Sequence, residues 1–423
     1  MHIAIIGSGI SGLTAAYLLR KEGHEIDVFE KSDHIGGHTH TMDIQIGRKD
    51  VPVDTGFSVF NTKTYPNFAR LIEELDIETR PVNMSFSITS QNTHYEYGIH
   101  SWRALFAQRR NLMSAKHWTM IRDIHRFNEQ AQLDLFGFEL CDETSVGEYL
   151  SNNNYTDQFI EFYLVPLGCA IWSAAPQDVY NFPVRTFINY LYRNGLLDTD
   201  KKPQWLSIKG GAETYVEKLV ESFADNIHTQ SRITHIKRLK KGPTLVFDDA
   251  TRVPFDEVIL GCHAPQALAL LDQPSTEESS TLGAFSYNAQ DITVNSDKHV
   301  LPASKAAQAS WNYLAEDHTN EHSIVTYNRS FLKFGKSGNL CNPVLNITLN
   351  ANQLINPDKV FGKYTYARFL LNQQALEAQK HWEAINGINH TWYCGAYWGQ
   401  GFHEDGCRSG IRVAKALGAK AFA

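Results

Sequence analysis

The chain has 423 residues, of which 43% are hydrophobic and 20% are charged, a balance typical of a globular protein and not of a disordered one. This length exceeds what one ordinary core holds and predicts two or three packed domains. The net charge of −7 gives no electrostatic reason to expect nucleic-acid binding, and we interpret the short basic stretches at Arg109–Arg110 and Lys237–Lys241 as solvated surfaces, which leaves contact with an anionic lipid surface open.

The cysteines and the apolar runs of the sequence indicate the cellular compartment in which the protein is expected. The six cysteines form no CxxC pair and fit no zinc-site spacing, so we expect buried thiols in a reducing compartment. His38 and His40 have no third ligand at a useful spacing, and we expect no metal. The apolar opening Ile3–Ile6 is too short for a secretory signal, and no run approaches the ~18 apolar residues of a transmembrane helix. We therefore expect a cytoplasmic protein, with peripheral membrane contact left open.

The first 30 residues predict a strand, a glycine-rich turn, a helix and a second strand. Residues 2–6 are apolar and β-branched, residues 10–22 carry apolar side chains at helical spacing, and residues 25–30 alternate between polar and apolar. Gly23 suits the end of the helix. This order is the βαβ unit of a parallel sheet.

The rest of the chain alternates between helical and strand-rich stretches. Ser145 and Glu148 form a capping-box pattern at the start of one helix. No internal repeat or low-complexity linker separates the stretches, which predicts interleaved domains. In chain order, the patterns predict a helix over 67–75, strands within 80–97, mainly helices over 101–200, strands and hairpins over 227–262, strands over 283–350, a helix over 372–386, a final strand over 390–397 and a helix over 406–418.

The glycine motif Gly7-Ser8-Gly9-Ile10-Ser11-Gly12 lies between the first predicted strand and the first predicted helix. Gly7 permits a tight turn, Gly9 lets the backbone approach a pyrophosphate, and Gly12 lets the helix pack on the strand. The helix N-terminus offers free N–H groups to phosphates. Glu30 ends the second strand, 18 residues after Gly12, where an acid binds a ribose hydroxyl and repels the 2′-phosphate of NADP. In this context a dinucleotide site is favoured over a glycine turn without a ligand.

A second glycine pair, Gly36-Gly37, follows directly in the segment IGGHTHT. Two glycines allow a backbone to approach a ligand closely. A simple NAD enzyme has no need of such a loop here, whereas in an FAD enzyme the loop can flank the pyrophosphate and the ribityl chain, so we favour FAD. A covalent bond from His38 or His40 to the flavin is an alternative, but a loop histidine near phosphate is the commoner arrangement, and we expect FAD to be held non-covalently.

These segments resemble the flavin-containing amine oxidase superfamily, which includes monoamine oxidases, protoporphyrinogen oxidase and carotenoid desaturases. The resemblance rests on GSGISG, EKSDHIGGHTHT and VDTGFSVFN, and it extends to Lys209-Gly210-Gly211, Ile233–Cys262 and Gly395–Gly410. It is closer to a subgroup of flavoproteins encoded beside, or fused to, cyclopropane fatty-acid synthases and to related fatty-acid isomerases. GGHTHT, Ile171-Trp172-Ser173, Ser310-Trp311-Asn312-Tyr313 and Gly401–Gly406 carry this narrower resemblance. The wider superfamily usually has Arg where this chain has His38, which favours the subgroup.

The resemblance implies an α/β fold in which a Rossmann-like FAD-binding domain is interleaved with an α+β substrate domain, as in two-domain amine oxidase-like flavoproteins. Residues 1–80, 205–265 and 387–423 would form the FAD-binding domain. Residues 81–204 and 266–386 would form the substrate domain, part helical and part antiparallel sheet. The flavin ring would lie at the interface, where ligand pockets tend to form.

The resemblance also places residues around the cofactor. The backbone near Ile233 would meet the adenine, Gly56-Phe57 would lie beside the isoalloxazine ring, and Asp405-Gly406 would lie at its pyrimidine edge, where a helix N-terminus near Gly406–Arg408 would stabilise negative charge on the reduced flavin. With the motif residues, the expected FAD-binding set is Gly7, Gly9, Ile10, Ser11, Gly12, Glu30, Lys31, Gly36, Gly37, His38, Thr39, Gly56, Phe57, Ile233, Cys262, Gly395, Glu404, Asp405 and Gly406.

Aromatic residues are the candidates for a substrate wall, although each one singly is more often a core residue. Between Tyr393 and His403, glycines interrupt any helix, so packing as a core stripe is less natural there. We interpret Asp54 as a structural residue and Lys209 as a surface residue, and we assign no catalytic residue. The expected pocket residues are Trp172, Tyr287, Trp311, Tyr397, Trp398 and His403.

The resemblance implies FAD-dependent redox chemistry on an apolar substrate. A fatty-acyl or phospholipid chain is the favoured class, through desaturation, saturation or double-bond isomerisation by hydride exchange with flavin N5. One alternative is a true amine oxidase. Another is a non-catalytic, flavin-bound partner of a lipid methyltransferase of the cyclopropane-synthase type.

Overall fold

The computed structural model describes residues 1–137, 140–141, 143–198, 202–315, 323–329 and 343–422. The strands are His2–Ile6, Glu25–Phe29, Thr41–Ile46, Lys49–Asp54, Thr79–Val82, Phe86–Ser90, Tyr95–Gly98, Trp205–Ile208, Ile227–His228, Ile233–Leu239, Gly242–Phe247, Arg252–Pro254, Glu257–Leu260, Tyr287–Asn295, Trp311–Ala315, Ile324–Asn328, Asn346–Leu349, Val360–Phe369 and Thr391–Tyr393. The α-helices are Ile10–Lys21, Pro66–Glu74, Trp102–Leu105, Ala115–Phe136, Val146–Asn152, Asp157–Phe159, Val165–Trp172, Pro176–Tyr180, Val184–Arg193, Glu213–Val220, Ala264–Leu270, Thr276–Gly283, Gln373–Gln379, Trp382–Ile385 and His403–Ala416.

A parallel sheet of five strands forms one half of the molecule. Its central strand, His2–Ile6, is apolar and buried on both faces, as expected where helices or sheets cover a parallel sheet on each side. One face packs against helices that include Ile10–Lys21, and the other packs against a three-stranded antiparallel sheet. The strand order is Thr391–Tyr393, Glu257–Leu260, His2–Ile6, Glu25–Phe29, Ile227–His228, so the sheet draws on three separate stretches of chain.

Two helices of this half pack closely against each other because glycines line the contact between them. The first is Ile10–Lys21 and the second is His403–Ala416. A Cβ atom on Gly410 would lie 2.3 Å from the carbonyl oxygen of Ser11, and one on Gly406 would lie 2.7 Å from Cγ2 of Ile10. Any larger residue would push the helices apart, so the distance between the two helices depends on these two glycines.

A mixed sheet of seven strands forms the other half. Most neighbouring strands are antiparallel, and Trp311–Ala315 runs parallel to Phe86–Ser90. Helices between residues 115 and 193 pack against it and share its hydrophobic core. Its strand order is Val360–Phe369, Tyr287–Asn295, Asn346–Leu349, Ile324–Asn328, Trp311–Ala315, Phe86–Ser90, Tyr95–Gly98.

The fold class is as predicted, and the local predictions are confirmed over most of the described chain. The βαβ unit is present, and the capping box of Ser145 and Glu148 forms with both hydrogen bonds. Three details are wrong. The last strand covers only Thr391–Tyr393, the C-terminal helix begins at His403 rather than at residue 406, and the helix predicted over 372–386 is two helices, Gln373–Gln379 and Trp382–Ile385. The chain leaves the strand before Gly395 and enters a 3₁₀ turn at Ala396–Trp398. The carboxylate of Asp405 accepts a hydrogen bond from the N–H of Phe402, which caps a helix that begins at His403.

Two helical stretches close to or within residues 266–386, which the sequence analysis assigned to the substrate domain, pack on the parallel sheet. Apolar side chains of Ala267, Leu282 and Ala378 lie in the core that contains Ala4 and Val258 of that sheet. Residues 264–285 and 373–385 therefore pack with the parallel sheet, because the apolar faces of their helices cover it. The domain boundaries themselves stay a prediction.

The described residues contain neither a membrane-spanning helix nor a cluster of metal ligands. None of their helices is long and apolar enough to cross a membrane. No group of three His, Cys, Asp or Glu side chains in this part of the chain is arranged to hold a metal ion.

Candidate functional site

A cavity of about 1180 Å³ lies between the two halves, lined from both the parallel sheet and the seven-stranded sheet. This volume exceeds the roughly 300–1,000 Å³ of most small-molecule sites. Glycine-rich loops line one part of it, and aromatic and aliphatic side chains such as Trp172, Tyr190 and Ile347 line another. The cavity is therefore large enough for a long ligand with chemically different ends.

The N-terminus of helix Ile10–Lys21 lies at the glycine-rich part of the cavity. No side chain caps this helix, and no acidic residue lies in its first turn. A Cβ atom on Gly9 would meet no protein atom within 4 Å, whereas one on Gly12 would lie 2.2 Å from the carbonyl oxygen of Gly7. The uncapped N–H groups at the start of the helix face open space, because Gly9 has no side chain that would occupy it. This arrangement fits the diphosphate of a dinucleotide.

Glu30 lies in the cavity wall beside the same turn. Its Oε2 accepts hydrogen bonds from the backbone N–H (2.9 Å) and hydroxyl (2.7 Å) of Ser8, and its Oε1 accepts one from the N–H of Ser32 (3.0 Å). The hydroxyl of Ser32 has a single proton and a shorter contact to the carbonyl of His34, 2.6 Å against 3.0 Å to Glu30. Oε1 therefore keeps accepting capacity for a ribose hydroxyl.

The charge of Glu30 is stabilised by these contacts. Burial acts to raise the pKa of the carboxyl, but the hydrogen bonds from Ser32 and Ser8 outweigh it and lower the pKa below its usual range. A fully ionised acceptor suits sugar hydroxyls and disfavours a phosphate at this position.

Two further loops close on the first glycine turn. The N–H of Gly36 donates to the carbonyl of Ser8 (2.9 Å), and a Cβ atom on Gly37 would lie 3.1 Å from Cα of Gly9. Next to them, the N–H of Phe57 donates to the carbonyl of His38 (3.0 Å), and a Cβ atom on Gly56 would lie 2.1 Å from that same oxygen. The structure thus brings three predicted segments, around Gly9, Gly37 and Gly56, to one wall of the cavity.

Phe57 and His403 form a stacked pair in the cavity wall. Their ring centroids are 3.8 Å apart with an interplanar angle of 10°. Behind them, the hydroxyl of Tyr215 is 2.7 Å from Nε2 of His403 and 2.7 Å from Oγ1 of Thr39. Burial lowers the pKa of His403 to about 3, so the ring is neutral at pH 7. Thr39 supports the wall from behind and does not line the cavity.

The acidic residues at the start of the C-terminal helix do not line the cavity, and their carboxylates are engaged by other groups of the protein. Glu404 accepts hydrogen bonds from the N–H groups of Asn67 (3.2 Å) and Phe68 (3.0 Å), at the start of helix Pro66–Glu74. Asp405 accepts from the N–H of Phe402 (3.1 Å) and pairs with Arg408 at 2.7 Å. Any contact of these side chains with the flavin therefore stays a prediction. From the sequence, we expected the N–H groups of a helix N-terminus near Gly406–Arg408 to stabilise negative charge on the reduced flavin. In the structure that helix begins at His403.

At the apolar part of the cavity, Trp172 contacts a set of aromatic rings. Its ring centroid lies 4.7 Å from that of Tyr190 and 5.3 Å from that of Phe187. Its Nε1 is buried and has no hydrogen-bond partner among the described residues. Tyr327 donates its hydroxyl to the carbonyl of Ala170 (3.1 Å), which turns its ring towards the cavity. These groups form a dry wall suited to an aliphatic chain.

Arg368 is a cavity residue that the sequence analysis missed. It lies on strand Val360–Phe369, two residues after Tyr366, so both side chains share one face of the sheet. Burial lowers the pKa of its guanidinium, and the nearby hydroxyls of Tyr327 and Tyr366 oppose the shift. Its Nε has no hydrogen-bond partner, and no ion pair joins it to another described residue. The sequence did contain a sign of it: in the run YTYARF, Tyr364, Tyr366 and Arg368 alternate with other residues, so one charged side chain lies on the same strand face as two aromatic ones.

His38 lies between this arginine and the glycine loops. Its ring centroid is 5.0 Å from that of Tyr366 and 5.9 Å from that of His263. Burial and the positive charge of Arg368 hold the pKa of His38 well below its usual value. His263, also missed from the sequence, stacks on Tyr287 at 4.4 Å. His40 lies outside the cavity wall, with Nδ1 3.0 Å from Oγ1 of Thr55.

Most of the expected site residues line this one cavity, and a few do not. Trp398 instead packs against Phe285 at 5.3 Å, in the core beneath the parallel sheet. The expected residues outside the wall are Gly12, Thr39, Trp398, Glu404, Asp405 and Gly406. Those in the wall are Gly7, Gly9, Ile10, Ser11, Glu30, Lys31, Gly36, Gly37, His38, Gly56, Phe57, Trp172, Ile233, Cys262, Tyr287, Trp311, Gly395, Tyr397 and His403.

Sequence comparison relates the chain to flavoproteins. The profile of a family described as flavin containing amine oxidoreductase matches residues 10–289, more than half of the chain. The "Putative flavin-containing monoamine oxidase AofH" of Mycobacterium tuberculosis is 24% identical over 261 residues, which cover 59% of this chain and 54% of that relative. The chain thus spans about half the length of this curated relative.

Solved structures share the whole fold. The "CLA-producing fatty acid isomerase from P. acnes" superposes with a TM-score of 0.70 at 15% identity over 99% of both chains. The cyclohexylamine oxidase from Brevibacterium oxydans IH-35A superposes with a TM-score of 0.66 at 15% identity over 98% of both chains. At these identities the likeness shows a common fold and leaves the substrate open.

Proposed function

The chain belongs to the flavin containing amine oxidoreductase family, and on this premise we propose that it is an FAD-dependent oxidoreductase acting on an apolar substrate with an anionic end, a fatty-acyl or phospholipid chain. The reaction is a desaturation, a saturation or a double-bond isomerisation. The flavin supplies hydride exchange at N5, and the protein supplies position and a dry cavity.

The glycine-rich part of the cavity supports the position of the cofactor. The uncapped start of helix Ile10–Lys21 takes the diphosphate, and the free accepting capacity of Glu30 takes a ribose hydroxyl. Gly56 and Phe57 then lie beside the flavin ring. FAD is held without a covalent bond in this proposal: His40 is turned towards Thr55, and burial raises the pKa of the Cys262 thiol to about 12, which leaves it protonated and unreactive.

The observation that carries the choice of substrate is the charge of the cavity wall. Its described acidic residues are Glu30 and Asp248, both at the nucleotide end, beside Ser32 and Arg232 respectively. Arg368 supplies a positive charge among aromatic groups, and no carboxylate of the described residues pairs with it. A substrate ammonium group would be repelled there and would find no anion to offset its desolvation, whereas a carboxylate or phosphate would pair with the guanidinium.

The other wall residues have positioning roles in this account. Trp172, Tyr190 and Trp311 exclude water and hold the aliphatic chain. Burial and the charge of Arg368 lower the pKa of His38 and keep its ring neutral. The anionic end of the substrate would therefore pair with Arg368 and not with His38. No residue is assigned as a catalytic acid or base.

An anaerobic experiment separates the candidate reactions. The flavin-loaded protein is mixed with linoleic acid or with benzylamine, the flavin absorbance is followed, and the recovered lipid is examined by gas chromatography and mass spectrometry. We expect linoleic acid to bleach the oxidised flavin, to reoxidise the photoreduced flavin, or to return with a changed double-bond pattern, and benzylamine to do none of these.

The two alternatives give different results in the same experiment. Bleaching by benzylamine alone would make the protein an amine oxidase. A flavin that photoreduces normally but is unchanged by any lipid, with every lipid recovered intact, would favour the non-catalytic partner of a lipid methyltransferase.

A further inference from the structure

A surface outside the cavity combines exposed apolar side chains with positive charge. It comprises residues 101–118 and is called the basic platform below. It consists of the short helix Trp102–Leu105, the 3₁₀ turn Arg109–Met113 and the first turn of helix Ala115–Phe136.

The basic platform exposes large apolar side chains to solvent. Trp102 is 72% exposed, Leu112 is 52%, Met113 is 92% and Trp118 is 45%. These are four of the ten large hydrophobic side chains that are exposed among the described residues. Single exposed hydrophobic residues are ordinary, but a cluster of this kind within one short segment marks an interaction site.

The exposed rings belong to an ordered arrangement. Trp102 stacks with Phe106 at a centroid distance of 6.1 Å, and Phe106 lies 5.3 Å from Trp118. The indole N–H of Trp118 donates to the carbonyl of Leu112 (2.9 Å), which fixes the turn that presents Met113. The platform therefore displays its apolar groups without having to order them on binding, which lowers the entropic cost of association.

The charge of the basic platform is opposite to that of the whole protein. Arg103, Arg109, Arg110 and Lys116 are exposed, and residues 101–118 contain no Asp or Glu. The chain as a whole carries a net charge of −7. A second copy would bring the same four cations against these four, which disfavours self-association. An anionic partner with an apolar interior satisfies both the charges and the exposed rings.

We propose that the basic platform docks the protein on an anionic lipid bilayer. Trp102 and Trp118 lie at the headgroup level, Leu112 and Met113 enter the acyl boundary, and the four cations contact lipid phosphates and anionic headgroups. This inference goes beyond the proposed function, since it needs neither the flavin nor any reaction.

Vesicle flotation of the flavin-loaded protein tests the proposal. We expect binding to vesicles of phosphatidylcholine with phosphatidylglycerol, little binding to phosphatidylcholine alone, and weaker binding as salt rises. Replacement by Arg109→Glu with Arg110→Glu should lower partition by at least about 30-fold, since each basic group near an anionic surface contributes roughly a fivefold factor. The pair Trp102→Ser with Met113→Ser should also lower it, at unchanged charge.

A matched charge reversal elsewhere serves as the control. Lys240→Glu with Lys241→Glu changes the same charge at the hairpin of strands Ile233–Leu239 and Gly242–Phe247, beside the exposed Leu239. This control should retain most of the binding. Equal losses in both reversals would overturn the proposal, because binding would then follow net charge alone. Equal binding to both vesicle types would overturn the proposal as well. So would a protein that binds no vesicles and forms a dimer, if the pair Trp102→Ser with Met113→Ser makes that dimer dissociate.

Each variant is checked for its flavin spectrum and its circular dichroism before flotation. A failure of the proposed function would appear as an absent flavin or absent turnover in a protein that still floats. A failure of the docking proposal would appear as a yellow, folded protein that does not float with anionic vesicles.

Discussion

The guanidinium of Arg329 forms a buried ion pair with the carboxylate of Asp54, with Nη2 2.6 Å from Oδ2 and both side chains 3% exposed. The other carboxylate oxygen of Asp54 accepts hydrogen bonds from the N–H of Ala212 (2.7 Å) and the hydroxyl of Thr41 (2.9 Å). The pair fixes the chain just before Gly56 and Phe57 to the end of strand Ile324–Asn328, and so ties the glycine-rich wall of the cavity to the seven-stranded sheet.

Removing the charge of Asp54 should destabilise the protein strongly. Asp54→Asn leaves Arg329 buried without its anion, a change that costs about 3–5 kcal/mol at comparable sites. Urea unfolding followed by circular dichroism measures the loss. The control Lys209→Met breaks the exposed pair of Lys209 with Glu78 (2.6 Å) and should leave the unfolding midpoint unchanged. A neutral Asp54→Asn variant would refute the role of this pair.

The glycine contact between helices Ile10–Lys21 and His403–Ala416 gives a second prediction. Gly410→Ala places a methyl group 2.3 Å from the carbonyl oxygen of Ser11, and the backbone must move to admit it. We expect a loss of about 1–3 kcal/mol by urea unfolding. Gly283→Ala, whose new methyl group has its nearest neighbour at 4.0 Å, should be neutral or slightly stabilising. Equal effects of the two substitutions would show that helix approach does not limit stability.

Burial of His403 makes stability depend on pH. Its pKa is lowered to about 3 in the folded protein, against about 6.5 in the unfolded chain. Between these values the unfolded state binds the extra proton, so stability is fully present above about pH 6.5 and falls as the pH drops towards 3, by up to about 1.4 kcal/mol per pH unit.

A non-titrating ring isolates this contribution. His403→Phe keeps a ring against Phe57 but binds no proton, so its melting temperature should fall less steeply than that of the wild type between about pH 6.5 and 4. The surface substitution His381→Asn is the control. Parallel pH profiles for His403→Phe and the wild type would contradict the assignment.

Arg368 should determine the preference for acidic substrates. Arg368→Met removes a hydrogen bond to a charged group, worth about 1.5–3 kcal/mol, so the affinity for linoleic acid should fall roughly 10- to 100-fold. Affinity for linoleyl alcohol should change little. Perturbation of the flavin spectrum on titration measures both constants.

The control for this test lies on the same strand. Lys363→Met removes an exposed charge from strand Val360–Phe369 outside the cavity wall and should leave both affinities unchanged. Loss of flavin from Arg368→Met, with acid and alcohol affinities falling equally in the remaining holoprotein, would show that Arg368 serves the cofactor instead.

The nucleotide end of the site could be predicted from the sequence because its information is local. Strand His2–Ile6, the turn Gly7–Gly12 and the next strand lie within 30 residues, and each glycine has a steric reason to be there. Glu30 follows from its distance to the motif. Such short-range patterns need no knowledge of how the rest of the chain packs.

The substrate end could not be predicted in the same way because it depends on distant contacts. Arg368 reaches the cavity because strand Val360–Phe369 pairs with Tyr287–Asn295, and Asn288 lies opposite it. Glu404 accepts hydrogen bonds at the start of a helix that begins more than 300 residues earlier, at Pro66, and no pattern in the sequence around Glu404 indicates that contact. Trp398 was placed in the wall because its neighbours are glycines, but its ring turns into the core.

The visible absorption spectrum of the purified protein, with mass spectrometry of the released cofactor, tests the central claim most directly. The account predicts a yellow protein that releases intact FAD on denaturation. It also predicts a colourless Gly9→Asp variant, because the new carboxylate occupies the open space at the helix N-terminus where the diphosphate lies. A wild-type protein that takes up no FAD when supplied with it, or a Gly9→Asp variant that binds FAD as tightly as the wild type, would contradict it.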